Sequence, residues 1–196
     1  MKKQSNLSRL LDYAGKYRIL TYLSWMFSAV SALLALVPFW YIWRILKEII
    51  EVAPRYENAV HVTQYGWMAV AAAIASVLVY ITGLMCSHLA AFRIATNLRL
   101  SMTNHVAVLP LGVIEQFGSG KLRRIISETA GATETYLAHQ LPDKAKAMAT
   151  IVGLLALLLI FDWRLGLLSL VPVALAFLVM TRMTGAKMQE QMTQYQ

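Results

Sequence analysis

The sequence predicts an all-α membrane protein with four transmembrane helices and long cytoplasmic helical extensions. Three observations carry that fold class. Apolar residues make up 58% of the 196-residue chain and charged residues only 14%, with a mean hydropathy of +0.55, well outside the soluble range. Apolar runs at residues 19–46, 65–92, 145–161 and 165–183 are each long enough, or nearly so, to cross a hydrocarbon core of about 30 Å. Between and after them the helical rhythm persists while polarity rises, as expected of helices that leave the bilayer without ending.

In residues 1–18, Leu7, Leu10, Leu11 and Ala14 recur at helical spacing among Lys2, Lys3, Arg9, Lys16 and Arg18, which predicts an interfacial amphipathic helix on the lipid bilayer. The run over 19–46 is about twice the length of a signal-peptide core and is read as a retained first span. At ~1.5 Å per residue it would be roughly 40 Å long, so it must tilt, protrude or kink, and Pro38 is the natural kink. Trp40, Trp43 and Arg44 cluster near its far end, either as an aromatic belt with a snorkelling arginine or as lining of a translocation pathway.

A polar connection over 47–64 leads to the second span, where Ala69, Ala72, Ala73 and Ser76 offer a close helix approach. No Gly or Pro interrupts Leu84 to Leu109, so this helix continues past Phe92 as a stalk. From Leu122 an amphipathic rhythm through Ile125, Ile126, Thr129, Thr133 and Leu137 returns toward the membrane, with a kink or restart at Pro142. Residues 93–144 thus form two stalks and the segment between them. A tight turn at Asp162-Trp163-Arg164 joins spans three and four, Pro172 is tolerated inside the fourth, and 184–196 reads as a second stalk cut short. The partial transmembrane domain therefore covers 19–196.

At the tip of the stalks lies Leu109 to Arg124. Pro110 suits a first helical turn and Gly118 a left-handed stop, which predicts a two-turn helix over 111–117 with Leu111, Ile114 and Phe117 on one edge. So short a helix is unstable alone. It is read as a contact knob for a partner protein, against an ordinary surface turn.

Lysine and arginine fall fourteen on the side of the N-terminus and the knob and four on the other, so the N-terminus and knob are expected in the cytoplasm, in a bacterial inner membrane or its equivalent. The net charge of +8 comes with no nucleic-acid signature, so nucleic acid is not an expected partner. The single Cys86 excludes an intrachain disulfide. Four scattered histidines give no metal spacing. Gly118-Ser119-Gly120-Lys121 imitates a phosphate loop, but Glu115 and Leu122 stand where that loop needs Gly and Ser or Thr. No catalytic, cofactor-binding or metal site is expected in this chain.

Leu109-Pro110-Leu111, Val113-Ile114-Glu115, Gly120, Leu122 and Asp162-Trp163-Arg164-Leu165 resemble the transmembrane domain of ATP-binding cassette transporters with the type I exporter fold. Val113 and Ile114 stand where that family often has aromatics, and Glu128-Thr129 where it often has Asn-Asp. Glu134 to Asp143 is similar to a subgroup that includes siderophore-handling members, some of which import. The resemblance implies that Leu111, Val113, Ile114, Glu115 and Phe117 couple the spans to a nucleotide-binding ATPase domain, where ATP and Mg would bind. It also implies a second transmembrane half, as a homo- or heterodimer, and an N-terminal portion of a six-span unit that is part of an ATP-hydrolysing translocase. The alternative is a complete four-span membrane scaffold or a small ion-coupled transporter, the latter disfavoured because no acidic residue lies within a span.

Overall fold

The computed structural model describes residues 6–183; the stalk expected over 184–196, and Lys2 and Lys3, lie outside them. Most of the described residues are helical: α1 (Asn6–Asp12), a 3-10 turn (Gly15–Tyr17), α2 (Arg18–Leu34), α3 (Val37–Val52), a second 3-10 turn (Tyr56–Asn58), α4 (Val62–Ala107), α5 (Leu111–Phe117), α6 (Ser119–Thr135), a π-helical turn (Tyr136–Gln140), α7 (Leu141–Phe161) and α8 (Trp163–Met183). Four helical stretches are long and apolar enough to cross a membrane, Gly15–Val52, Val62–Ala107, Ser119–Phe161 and Trp163–Arg182. The chain divides into two compact units, Met1–Ile151 and Val152–Gln196.

In the first unit α2 runs antiparallel to α4. Tyr13 meets Asn97 before α2 begins, Phe27 meets Gly83 in its middle, and Tyr41 of α3 stacks on Tyr65 beyond its end. The buried face of α2 is small and largely polar, with Thr21, Ser24, Ser28, Ser31 and Ala32, and its middle meets Gly83 of α4. Ser24 and Ser31 donate to the carbonyls three residues back at 2.8 Å, and Ser76 does so at 2.7 Å. The polarity of these three serines is thus satisfied within their own helices while their size permits close approach, whereas the buried Thr21 Oγ1 has no partner among the described residues. Of the predicted small residues Ser76 is buried, Ala69 and Ala72 are half-buried and Ala73 is exposed, and a close approach to α2 comes at Gly83.

The first span is not one kinked helix. It breaks at Ala35 and Leu36, ahead of Pro38, which sits in the first turn of α3. A proline damages the bond to the carbonyl four residues earlier, here that of Leu34, so the α-helix ends there and Leu36 bonds back to Leu33 in a tighter turn at 3.1 Å. Released from α2, α3 extends to Val52, beyond the apolar run.

Pro142 acts similarly with another outcome. It has no N–H to offer Ala138, four residues back, and the helix accommodates this by widening into the π-helical turn, where Leu141 bonds to Tyr136. Ser87 of α4 donates its hydroxyl to Ala138 O at 2.5 Å and reaches Leu137 O at 3.3 Å. Leu137 and Ala138 then join Ala14, Ala91 and Ile94 in the buried cluster of this unit. Ser87→Ala is expected to lower stability by about 1–3 kcal/mol, the cost of a buried carbonyl left short of a donor. The loss should shrink in a Pro142→Ala background, where an α-helical N–H can replace the serine. Thermal unfolding of the two single variants and the double reads this coupling; equal losses in both backgrounds would contradict it.

In the second unit, Asp162 Oδ1 accepts the Arg164 N–H at 2.8 Å and caps α8. A Cβ on Gly166 would lie 3.0 Å from the backbone of Leu159, so the α7–α8 turn requires glycine there. Helix α8 continues through Pro172, as a membrane helix can.

Candidate functional site

The tip is built by α4, α5 and α6. Helices α4 and α6 run antiparallel, joined by Arg99 to Glu134 at 3.5 Å, and α5 crosses between their ends. Pro110 stands just outside α5 as its N-cap rather than in its first turn, and its carbonyl accepts the Val113 N–H at 2.9 Å. Gly118 closes the helix at φ 76°, ψ 136°, a conformation open to glycine, and its N–H bonds to Ile114 O at 2.9 Å. Its carbonyl in turn accepts the Leu122 N–H at 3.2 Å and starts α6. One residue therefore both ends α5 and launches α6.

This geometry divides the apolar side chains of α5. Ile114 is half-buried and lines an apolar groove of 420 Å³ with Val106, Leu122 and Ile126. Val113 is half-buried as well, whereas Glu115 is exposed. Leu111 is 70% exposed and Phe117 46% exposed, with Val108 beside them at 78%. Lys121 stands 5.7 Å from the Phe117 ring centroid. Arg124 bonds to Glu128 at 2.6 Å, which raises its guanidinium above the ordinary value. The tip therefore offers open apolar contacts within a mostly basic surround, suited to docking.

Trp40, Trp43 and Arg44 come together on α3. The two indoles lie 5.2 Å apart, and Arg44 sits 5.9 Å from the Trp40 centroid. A polar cleft of 210 Å³ adjoins them, which the sequence reading missed, lined by Arg44, Lys47, Glu48, Glu51, His61 and Tyr65. Glu48 Oε1 accepts the His61 backbone N–H at 2.9 Å and lies 3.3 Å from its Nδ1. The available signal was Glu48 itself, a carboxylate set among Ile45, Leu46, Ile49 and Ile50. His88 and His139, far apart in sequence, also meet, with ring centroids 4.9 Å apart.

Long apolar helices continuing into paired stalks, with a short cross-helix at their tip, define a helical membrane domain. Comparison with known proteins makes this specific: residues 19–196 match the ABC transporter transmembrane region, and the chain belongs to that family. It is 33% identical over 97 residues to the mycobactin import ATP-binding/permease protein IrtA of Mycolicibacterium smegmatis, an alignment covering 50% of this chain and 11% of that protein. Similarity to the proteins of the same name is 33% over 94 residues for Mycobacterium tuberculosis, covering 48% of this chain and 11% of the relative. For Mycolicibacterium thermoresistibile it is 29% over 92 residues, covering 47% and 10%. The matched part spans about a tenth of the length of these relatives.

Proposed function

We propose that α5 is the element through which this membrane domain is driven by an ATPase domain, with ATP and Mg bound in that domain. The observation that carries the proposal is the open apolar face of Leu111 and Phe117 at the end of two helical stalks. Exposed apolar groups on a short helix are costly unless covered, and a helix pair transmits displacement that a loop would absorb. Ile114 and Val113 anchor α5 to the stalks, so force on the exposed residues passes into α4 and α6. The basic asymmetry supports a cytoplasmic tip and N-terminus in an inner membrane. The four spans, their apolar faces largely open, pack against a second transmembrane half and lipid.

Trp40, Trp43 and Arg44, with the adjoining cleft, stand at the opposite end of the first span from the tip and line the mouth of the pathway. The relatives named for mycobactin import favour import and a siderophore cargo of that kind. Site-directed crosslinking between α5 and the ATPase domain, in the assembled transporter, tests the coupling role.

A further inference from the structure

Two cations of this chain converge on one aromatic ring, with no counter-charge beside them among the described residues. Lys16 Nζ lies 5.5 Å and Arg93 Cζ 5.4 Å from the centroid of Tyr17. Lys16 comes from the turn before α2 and Arg93 from α4, so packing of the two elements brings them together. Ala14 and Ala91 share the buried cluster, and Asn97 Nδ2 donates to Tyr13 O at 2.8 Å. Arg18 follows directly, held by Nε to the Tyr22 hydroxyl at 3.2 Å.

None of these three cations has a carboxylate oxygen within 4.0 Å among the described residues. Lys47, Arg99 and Arg124 each pair with a glutamate, at 3.8, 3.5 and 2.6 Å, whereas the other described lysines and arginines, these three among them, form no such pair; what sets Lys16 and Arg93 apart is the ring they share. A ring face offsets only part of the charge of the two cations, and a bound anion offsets the rest. The depth of the site selects the anion. Lys16 lies three residues before the apolar run beginning at Ile19 and Arg18 directly before it, and Arg93 immediately follows the run ending at Phe92. Both edges mark the level of lipid phosphates. Lys16, Arg18 and Arg93 are all exposed and open to a lipid.

We infer that Lys16 and Arg93 bind the phosphate of an anionic glycerophospholipid, which fastens the lead into α2 onto α4. The full-length protein carrying this chain is placed in nanodiscs of phosphatidylcholine with a minor share of phosphatidylglycerol, and retained lipids are identified by native mass spectrometry. The wild type should retain phosphatidylglycerol in preference. Lys16→Gln with Arg93→Gln should weaken that preference by roughly fivefold per cation, about twenty-fivefold together. Arg124→Gln, at the tip, should match the wild type. Inorganic phosphate should not displace the lipid; displacement would reassign the site to a soluble anion and overturn the inference. Absence of preference in the wild type, or an undiminished preference in the double variant, would also overturn it. Should the double variant not assemble, a wild-type preference unaffected by molar salt would do the same, since a headgroup contact is screened.

Discussion

Leu111→Asp combined with Phe117→Asp should abolish ATP-driven uptake of a mycobactin-type siderophore while ATP hydrolysis continues. Both side chains are open in the chain itself, so their replacement leaves the fold of the stalks unchanged. In the docked state they become the apolar anchors of a small contact. Anchors of this kind are worth about 1–2 kcal/mol each, so the pair should weaken docking by roughly 30- to 1,000-fold. Uptake into cells and ATP hydrolysis by the purified assembly, measured in parallel, separate uncoupling from misfolding. Full uptake by the double variant would contradict the coupling role. Absence of uptake by the wild type would contradict the proposed cargo and leave the docking role to be read from assembly.

The largest structural effect is expected at Gly83. An added Cβ would lie 2.9 Å from Phe27 Cβ and 3.4 Å from the Ser28 backbone nitrogen. Neither neighbour is the far end of a flexible side chain, so α2 itself must move. Gly83→Ala should cost about 1–3 kcal/mol, and Gly83→Val more, because the serine-lined face of α2 would separate from α4. The check is the thermal unfolding midpoint in detergent beside Gly66→Ala, whose Cβ meets nothing within 4 Å and which should hold or raise stability. A Gly83→Val protein as stable as Gly66→Ala would refute the close α2–α4 approach.

The order of helices was legible because it rests on local rules. Apolar runs mark the spans, the unbroken rhythm from Leu84 to Leu109 marks the stalk, and Pro110 and Gly118 bracket α5. The first break was misplaced because Pro38 acts on Leu34, four residues before it. Side-chain-to-backbone pairings across distant elements were not legible at all. Ser87 and Ala138 are 51 residues apart and Glu48 and His61 are 13 apart, and neither pairing leaves a periodic signature. At the tip, the extent of α5 followed from its punctuation, whereas the turning of Ile114 into the groove depends on the positions of α4 and α6.

The central claim is that α5 docks on an ATPase domain, and crosslinking tests it most directly. With the chain's single Cys86 replaced by alanine, cysteines are introduced singly at Leu111, Ile114 and Phe117, and paired with cysteines across the ATPase domain of the assembled, ATP-hydrolysing protein. Strong crosslinks from positions 111 and 117, with a weaker one from the groove-facing 114, are the expected result. An assembled and active transporter that yields no crosslink from 111 or 117 would contradict the account.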